Sequence, residues 1–304
     1  MIRVMTLFFI ILVMLPPVNL MADDEFDEMT FEELVELIYN SDFHSEGRRE
    51  YATLNGSFLC YEHDDYIEIS NFGLYSIFPE TIIENIYYHI FDYLEIPDFI
   101  NNKPVKAIGR HAFSDIKIRT IKLPLYLEII NEYAFSASNI EEIIFNDYLR
   151  VIGEYAFVGS RMKNLTIPDT VIDIGRNAFW LSRIENLIIG NGIKVLRQDV
   201  FNAGSLITVT LPESLELIEE AAFWYTGLER ITIPENVYRI GVNAFSDNPL
   251  TEIIIGNNVE FELPFAYNEF NRFINFYNNN NKRSGKYLLF RNNITREYFW
   301  EYNE

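Results

Sequence analysis

Few side chains in this 304-residue chain are spaced for chemistry, and those few pose the first questions. Glycoside cleavage needs two carboxylates facing one bond, and the acidic pairs Glu141-Glu142 and Glu219-Glu220 invite that reading. Neighbouring residues of a strand point to opposite faces, so the first pair does not converge on one substrate. The second pair falls in a return segment open to solvent. Asp64-Asp65 suggests calcium, yet the glycine and spaced carboxylates of a loop site are missing, and a turn accounts for the pair. The four histidines (His44, His63, His89 and His111) lack metal-ligand spacing. Cys60 is the single cysteine, which excludes an internal disulfide and a multi-cysteine metal site. No nucleophile elbow, phosphate loop, dinucleotide fingerprint or His-Glu-x-x-His occurs. The expectation is a protein without catalysis, metal or cofactor.

Composition narrows the partners. Hydrophobic residues make up 49% and aromatics 15% of the chain, enough for a continuous core and too apolar for disorder. Acidic residues outnumber basic ones 45 to 24, a net charge of -21. Such a surface repels phosphate backbones, so nucleic acid is not an expected partner. The N-terminus reads as a secretion signal over residues 1–22. Arg3 is a basic start, Val4 to Leu15 an apolar run, Pro16-Pro17 a break, and Ala22 a small residue before Asp23-Asp24-Glu25. The apolar run is shorter than the roughly 20 residues that span a bilayer. Cleavage near Ala22, a secreted or cell-surface protein, and no transmembrane span in the mature chain are expected.

The elements that would position any site come from a repeat. Ala112-Phe113 recurs as Ala134-Phe135, Ala156-Phe157, Ala178-Phe179, Val200-Phe201, Ala222-Phe223 and Ala244-Phe245, with a weaker echo at Ala266-Tyr267. Every step is 22 residues, a period that marks a leucine-rich solenoid. The unit Leu228-Glu229-Arg230-Ile231-Thr232-Ile233-Pro234, followed by Val237, Ile240-Gly241 and Ala244-Phe245, shows the columns. Ile231 and Ile233 share the inward face of a strand. Val237 and Ile240 bring the chain back across the core, Phe245 fills the far side, and Ala244 lets neighbouring coils approach. Proline ends the strand at Pro124, Pro168, Pro212 and Pro234, where a missing N–H does least harm. About eight coils at roughly 4.8 Å give a rod near 40 Å long.

Four regions follow: the signal at 1–22, an N-terminal α/β capping region at 23–93, the solenoid at 94–278 and a C-terminal hairpin cap at 279–304. Thr30-Phe31-Glu32-Glu33 is a capping box, and it predicts a helix over about 31–40. Ser57–Glu62 and Tyr66–Asn71 read as a hairpin spanning about 57–71. Near the end of the repeats, Glu262 occupies the column held by Ile240, and Asn275 falls in a core strand column.

The Leu-x-x-Ile-x-Ile-Pro strand, the Ile-Gly and the Ala-Phe together closely resemble the treponemal-type leucine-rich repeat of BspA-like bacterial surface proteins. The opening Glu95-Ile96-Pro97, Lys103-Pro104-Val105 and Ile108-Gly109 also look like that family's first repeat. The resemblance covers about 94–278. Asn131, Arg197 and Glu219 depart from the glycine column, and Val200 from alanine. The resemblance implies a secreted or surface protein that binds other proteins, in some members host matrix or cell-surface components. It carries no catalytic residues and no shared ligand site.

Binding must then be sought in the columns that vary. Between the two inward residues of each strand lies an outward one: Lys122, Ile144, Thr166, Ile188, Thr210, Thr232 and Ile254. Three isoleucines among threonines form a mildly apolar stripe that a protein partner could use, although Ile and Thr also simply suit an exposed strand. After each Phe comes a second variable position, which holds Trp180 and Trp224 two coils apart, about 10 Å along one edge. These either anchor a partner or pack on neighbouring coils. The expected function is an exported, adhesin-like protein-binding module using the sheet face and one edge. The alternative is a structural envelope protein that packs against copies of itself.

Overall fold

The computed structural model describes residues 48–53, 56–73, 93–262, 269–291 and 298–303. The expected signal, the helix at about 31–40 and the echo at Ala266-Tyr267 lie outside them. In chain order, three strands come first: β1 (Arg48–Thr53), β2 (Gly56–Glu62) and β3 (Ile67–Gly73). The solenoid then alternates between two walls. The front wall is made of β4 (Tyr93–Glu95), β7 (Thr120–Lys122), β9 (Glu142–Ile144), β11 (Asn164–Ile167), β13 (Asn186–Ile189), β15 (Thr208–Thr210), β17 (Arg230–Thr232) and β19 (Glu252–Ile255). Behind it lie β5 (Phe99–Ile100), β6 (Lys103–Ile108), β8 (Ile129–Ile130), β10 (Val151–Ile152), β12 (Asp173–Ile174), β14 (Val195–Leu196), β16 (Leu217–Ile218), β18 (Arg239–Ile240) and β20 (Glu260–Phe261). Helix α1 (Glu269–Asn279) and strands β21 (Gly285–Arg291) and β22 (Tyr298–Asn303) follow.

Each coil gives the front wall one strand of three or four residues, so eight strands bound about seven complete turns of a β-solenoid. The back wall carries a two-residue strand per coil that the sequence did not show. It forms because Ile130, Ile152, Ile174 and their equivalents are fully buried while the residue before each stays accessible, the alternation that extended backbone imposes. Front strands pair parallel in 22-residue register, Thr166 beside Ile188 and Ile188 beside Thr210.

The core is a stack of identical side chains. Seven phenylalanines, from Phe113 to Phe245, lie ring on ring with centroids 5.1 to 5.5 Å apart. Offset stacking at this distance adds about 0.5–1.5 kcal/mol per pair beyond burial. The backbone around each Ala-Phe explains the fixed spacing. The residue before the alanine and the second residue after the phenylalanine are both left-handed, as at Tyr133 (φ 57°) and Ala137 (φ 54°). These two reversals turn alternate N–H groups along the axis. Tyr133, Phe135 and Ala137 donate to the carbonyls of Glu154, Ala156 and Val158 in the next coil at 2.9, 2.8 and 2.8 Å. One insertion here would put the wrong N–H groups on the axis, which is a physical reason for the uninterrupted repeat. Gly175 shows how closely coils approach, since a Cβ there would lie 2.4 Å from the Glu154 nitrogen.

Both ends of the stack meet other elements. Phe58 on β2 sets its ring edge-on to Phe113 at 6.4 Å, and β3 pairs parallel with β6, extending the back wall. At the other end β21 pairs antiparallel with β19, and β22 with β21. Two local readings change here. Residues 269–279, taken from the sequence as the end of the solenoid, form an α-helix whose Phe270, Phe273, Ile274 and Tyr277 are buried. Asn275 therefore sits on a helix rather than in a strand column. The register also slips by one at the last coil: Phe261, not Glu262, pairs with Ile240. The slip places an aromatic ring against Phe270, Phe273 and Tyr277 and leaves Glu262 exposed beside Arg239, 3.3 Å away. Burying the carboxylate unpaired would be expensive, and the slip avoids that cost.

Candidate functional site

The front wall presents the expected outward column. Ile144 is 85% exposed and Ile188 51%, and Thr166, Thr210 and Thr232 are exposed as well. The wall is not one ladder, however. Strand pairing stops between β9 and β11 and again between β15 and β17. At both strands before a break, the first inward residue (Ile143 or Val209) is only partly buried, and at β9 the second inward position holds Phe145, whose ring stands edge-on to Phe157 at 5.7 Å. The breaks divide the column into three groups. Thr166, Ile188 and Thr210 are paired side by side. Thr232 lies beside Ile254, and Ile254 in turn lies opposite Lys286 of β21, which leaves it half-buried. Ile144 stands beside Lys122.

Two shallow depressions follow the same division. One, of about 680 Å³, is lined by Tyr93, Lys122, Glu141, Glu142, Ile144, Arg161, Lys163 and Arg183 among others. The other, of about 530 Å³, holds Thr166, Ile188 and Thr210 with Asp147, Asp169 and Glu213. The Glu141-Glu142 pair thus lines a single depression, contrary to opposite-face placement, because Glu141 precedes β9 rather than lying in it. Glu141 accepts from Arg119 Nε and Nη2 at 3.0 and 2.8 Å, and Glu142 Oε2 accepts from the Thr120 hydroxyl at 3.4 Å. Several ion pairs run along the axis at 22-residue spacing: Lys106–Glu128, Arg110–Glu132, Arg119–Glu141, Lys163–Glu185 and Lys194–Glu216, at 2.8 to 3.5 Å. The glutamate hydrogen bonds hold Lys163 and Lys194 above the ordinary lysine range. Exposed pairs like these are screened by solvent and add little to stability.

The tryptophan edge is more pronounced than the sequence suggested. Where the position after Phe is small, as at Ser136 and Ser246, the side chain is buried. Trp180 and Trp224 do not fit there, and they are 36% and 41% exposed. Trp224 Nε1 donates to Asp247 Oδ2 at 2.6 Å. Each tryptophan is followed by a second large apolar residue that sequence reasoning passed over: Leu181, 50% exposed, and Tyr225, 68% exposed. Both occupy the left-handed position, at φ 57° and 54°, which elsewhere in this column holds Asp115, Ala137, Gly159, Ala203 and Asp247. A bulky residue in that conformation costs roughly 1–2 kcal/mol. The signal was present as two large residues in a column of small and acidic ones, and their exposure is what sets them apart.

Short parallel strands every 22 residues, an inward ladder of aliphatics and a buried phenylalanine stack define a leucine-rich-repeat solenoid. Within that class the chain belongs to the BspA-type leucine-rich repeat family, whose pattern matches six times over residues 84–207, 150–265 and 197–300. Solved structures resemble the chain at low identity. A leucine-rich cell surface protein of Faecalibacterium prausnitzii is 22% identical over 84% of this chain and 61% of its own, with a TM-score of 0.52. This chain therefore spans less than two thirds of that protein. The Treponema pallidum leucine-rich repeat protein is 17% identical over 68% of this chain and 88% of its own, with a TM-score of 0.37. No curated protein sequence matches. Among the described residues no helix is long and apolar enough to cross a membrane.

Proposed function

We propose that the protein is an exported or surface-located, non-catalytic module that binds a protein partner, adhesin-like, through the front wall and the tryptophan edge. The observation that carries this reading is the pair of doublets Trp180-Leu181 and Trp224-Tyr225. Four large apolar side chains stand in solvent on one edge, two of them held in a backbone conformation unfavourable to them. Tryptophan and tyrosine are favoured interface anchors. The exposed Ile144 and Ile188 extend the apolar character across the wall. Membership of a family of leucine-rich repeats, together with a fold relative described as a cell surface protein, fits a partner met outside the cell.

The test is retention of partners from host matrix and cell-surface extracts by the immobilised mature chain. Trp180→Ala with Trp224→Ala should reduce retention at least tenfold with little change in melting temperature, and Ile188→Asp should reduce it separately. A large fall in melting temperature for the tryptophan pair, with retention per folded molecule intact, would show that the edge is structural.

A further inference from the structure

We infer that the depression at the β7–β9 end of the front wall takes an acidic, extended segment of the protein partner, its carboxylates held by Arg161 and Arg183. The inference rests on the binding-module reading and adds the chemistry of the ligand. Its starting point is a departure from the charge order of the fold. Along the solenoid, a basic side chain is repeatedly answered by a glutamate one coil later, as in Arg119–Glu141 and Lys163–Glu185. Arg161 is followed one coil later by Arg183 and preceded by Asn139. Both arginines are exposed, and among the described residues neither has a carboxylate within salt-bridge distance. Their backbones lie on successive coils, about 4.8 Å apart, so two like charges stand on one rim of the depression. In a chain of net charge -21, many acidic residues were on hand to answer them.

The rest of the depression defines the ligand more closely. Ile144, 85% exposed, and the half-exposed Tyr93 are among its lining, and they suit an apolar side chain between or beside the acidic ones. Lys122 and Lys163 also line it, but each is already bound to a glutamate, Glu95 and Glu185. Glu141 and Glu142 complete the wall. A guanidinium donates two parallel hydrogen bonds to a carboxylate, so the rim offers two strong donor sites. The two glutamates and the overall negative field work against any longer run of negative charge. A short peptide with two carboxylates fits these constraints better than a sulfated polysaccharide does.

The probe is an array of decapeptides with two Asp or Glu residues flanking each apolar residue in turn, read beside the Asn/Gln isosteres. Binding of the full mature chain is measured by fluorescence anisotropy, with heparin as a competing polyanion. The expected result is binding of acidic members at least tenfold tighter than their isosteres, weakening as salt is raised. Arg161→Gln with Arg183→Gln should abolish that preference, and Arg176→Gln, a control on another column, should retain it. Equal binding of isosteres, binding unaffected by the arginine pair, or capture of heparin with no acidic peptide bound would each overturn the inference. An unresponsive array alongside partner retention that still depends on Ile188 and the tryptophans would remove this inference and leave the binding-module reading standing. Loss of both would remove both.

Discussion

Phe179→Ala is the sharpest probe of how this protein holds together. Phe179 is fully buried and stacks on Phe157 at 5.4 Å and on Phe201 at 5.3 Å, with ring planes within 3° and 11° of parallel. Truncating a buried phenylalanine costs about 3–5 kcal/mol in transfer and cavity terms, and two ring contacts are lost with it. A value near 4 kcal/mol is expected. Phe179→Leu keeps most of the volume and loses the same two contacts, so it should cost about 1–2 kcal/mol. Against a total stability of about 5–15 kcal/mol, the alanine loss is large. It also falls mid-stack, where stability is close to a sum of neighbour-to-neighbour terms. Urea unfolding followed by tryptophan emission is the assay, and Trp180 reports from the next residue. With a slope of about 3 kcal/mol/M, the midpoint should fall by about 1.3 M, and the transition should broaden as the two halves uncouple. An alanine variant losing less than about 1.5 kcal/mol, or a leucine variant as stable as the parent, would refute the claim that ring stacking along the axis organises the core.

Two titrations test the buried polar groups. Burial pushes the Tyr287 phenol up to about 12, and its hydroxyl donates to the Arg283 carbonyl at 2.7 Å. The unfolded chain ionises this group near 10, so its contribution is fully present below pH 10 and lost as pH rises from 10 to 12. The urea midpoint should fall over that range, and Tyr287→Phe should flatten the fall; an identical slope in the variant would show that other groups control it. Burial likewise pushes the Cys60 thiol up to about 12. At pH 8 a thiol reagent should label the native protein orders of magnitude more slowly than the unfolded chain, and fast native labelling would contradict the packing of β2 against the first coil.

The 22-residue columns are legible in the sequence because a solenoid is nearly one-dimensional. Each residue's neighbours along the axis are its own equivalents one coil away, so spacing alone identifies Phe135, Phe157 and Phe179 as a stack, and Ile144 and Ile188 as outward. What spacing does not encode is how a coil ends or joins its neighbour. Whether Phe261 or Glu262 faces inward depends on the aromatic cluster that α1 brings from later in the chain, and the breaks after β9 and β15 depend on how Ile143 and Val209 settle against the core. The two left-handed turns around Ala-Phe are backbone facts with no residue signature, since Tyr, Asn, Asp, Ala and Leu all occupy them. The sequence by itself determined the period, the inward and outward columns and the family pattern, because each follows from nearest-neighbour contacts repeated at a fixed interval. Only the tertiary structure decided that Leu181 and Tyr225 stand in solvent at unfavourable dihedral angles, and that Arg161 and Arg183 share one rim unanswered. Both depend on where side chains of successive coils meet in space.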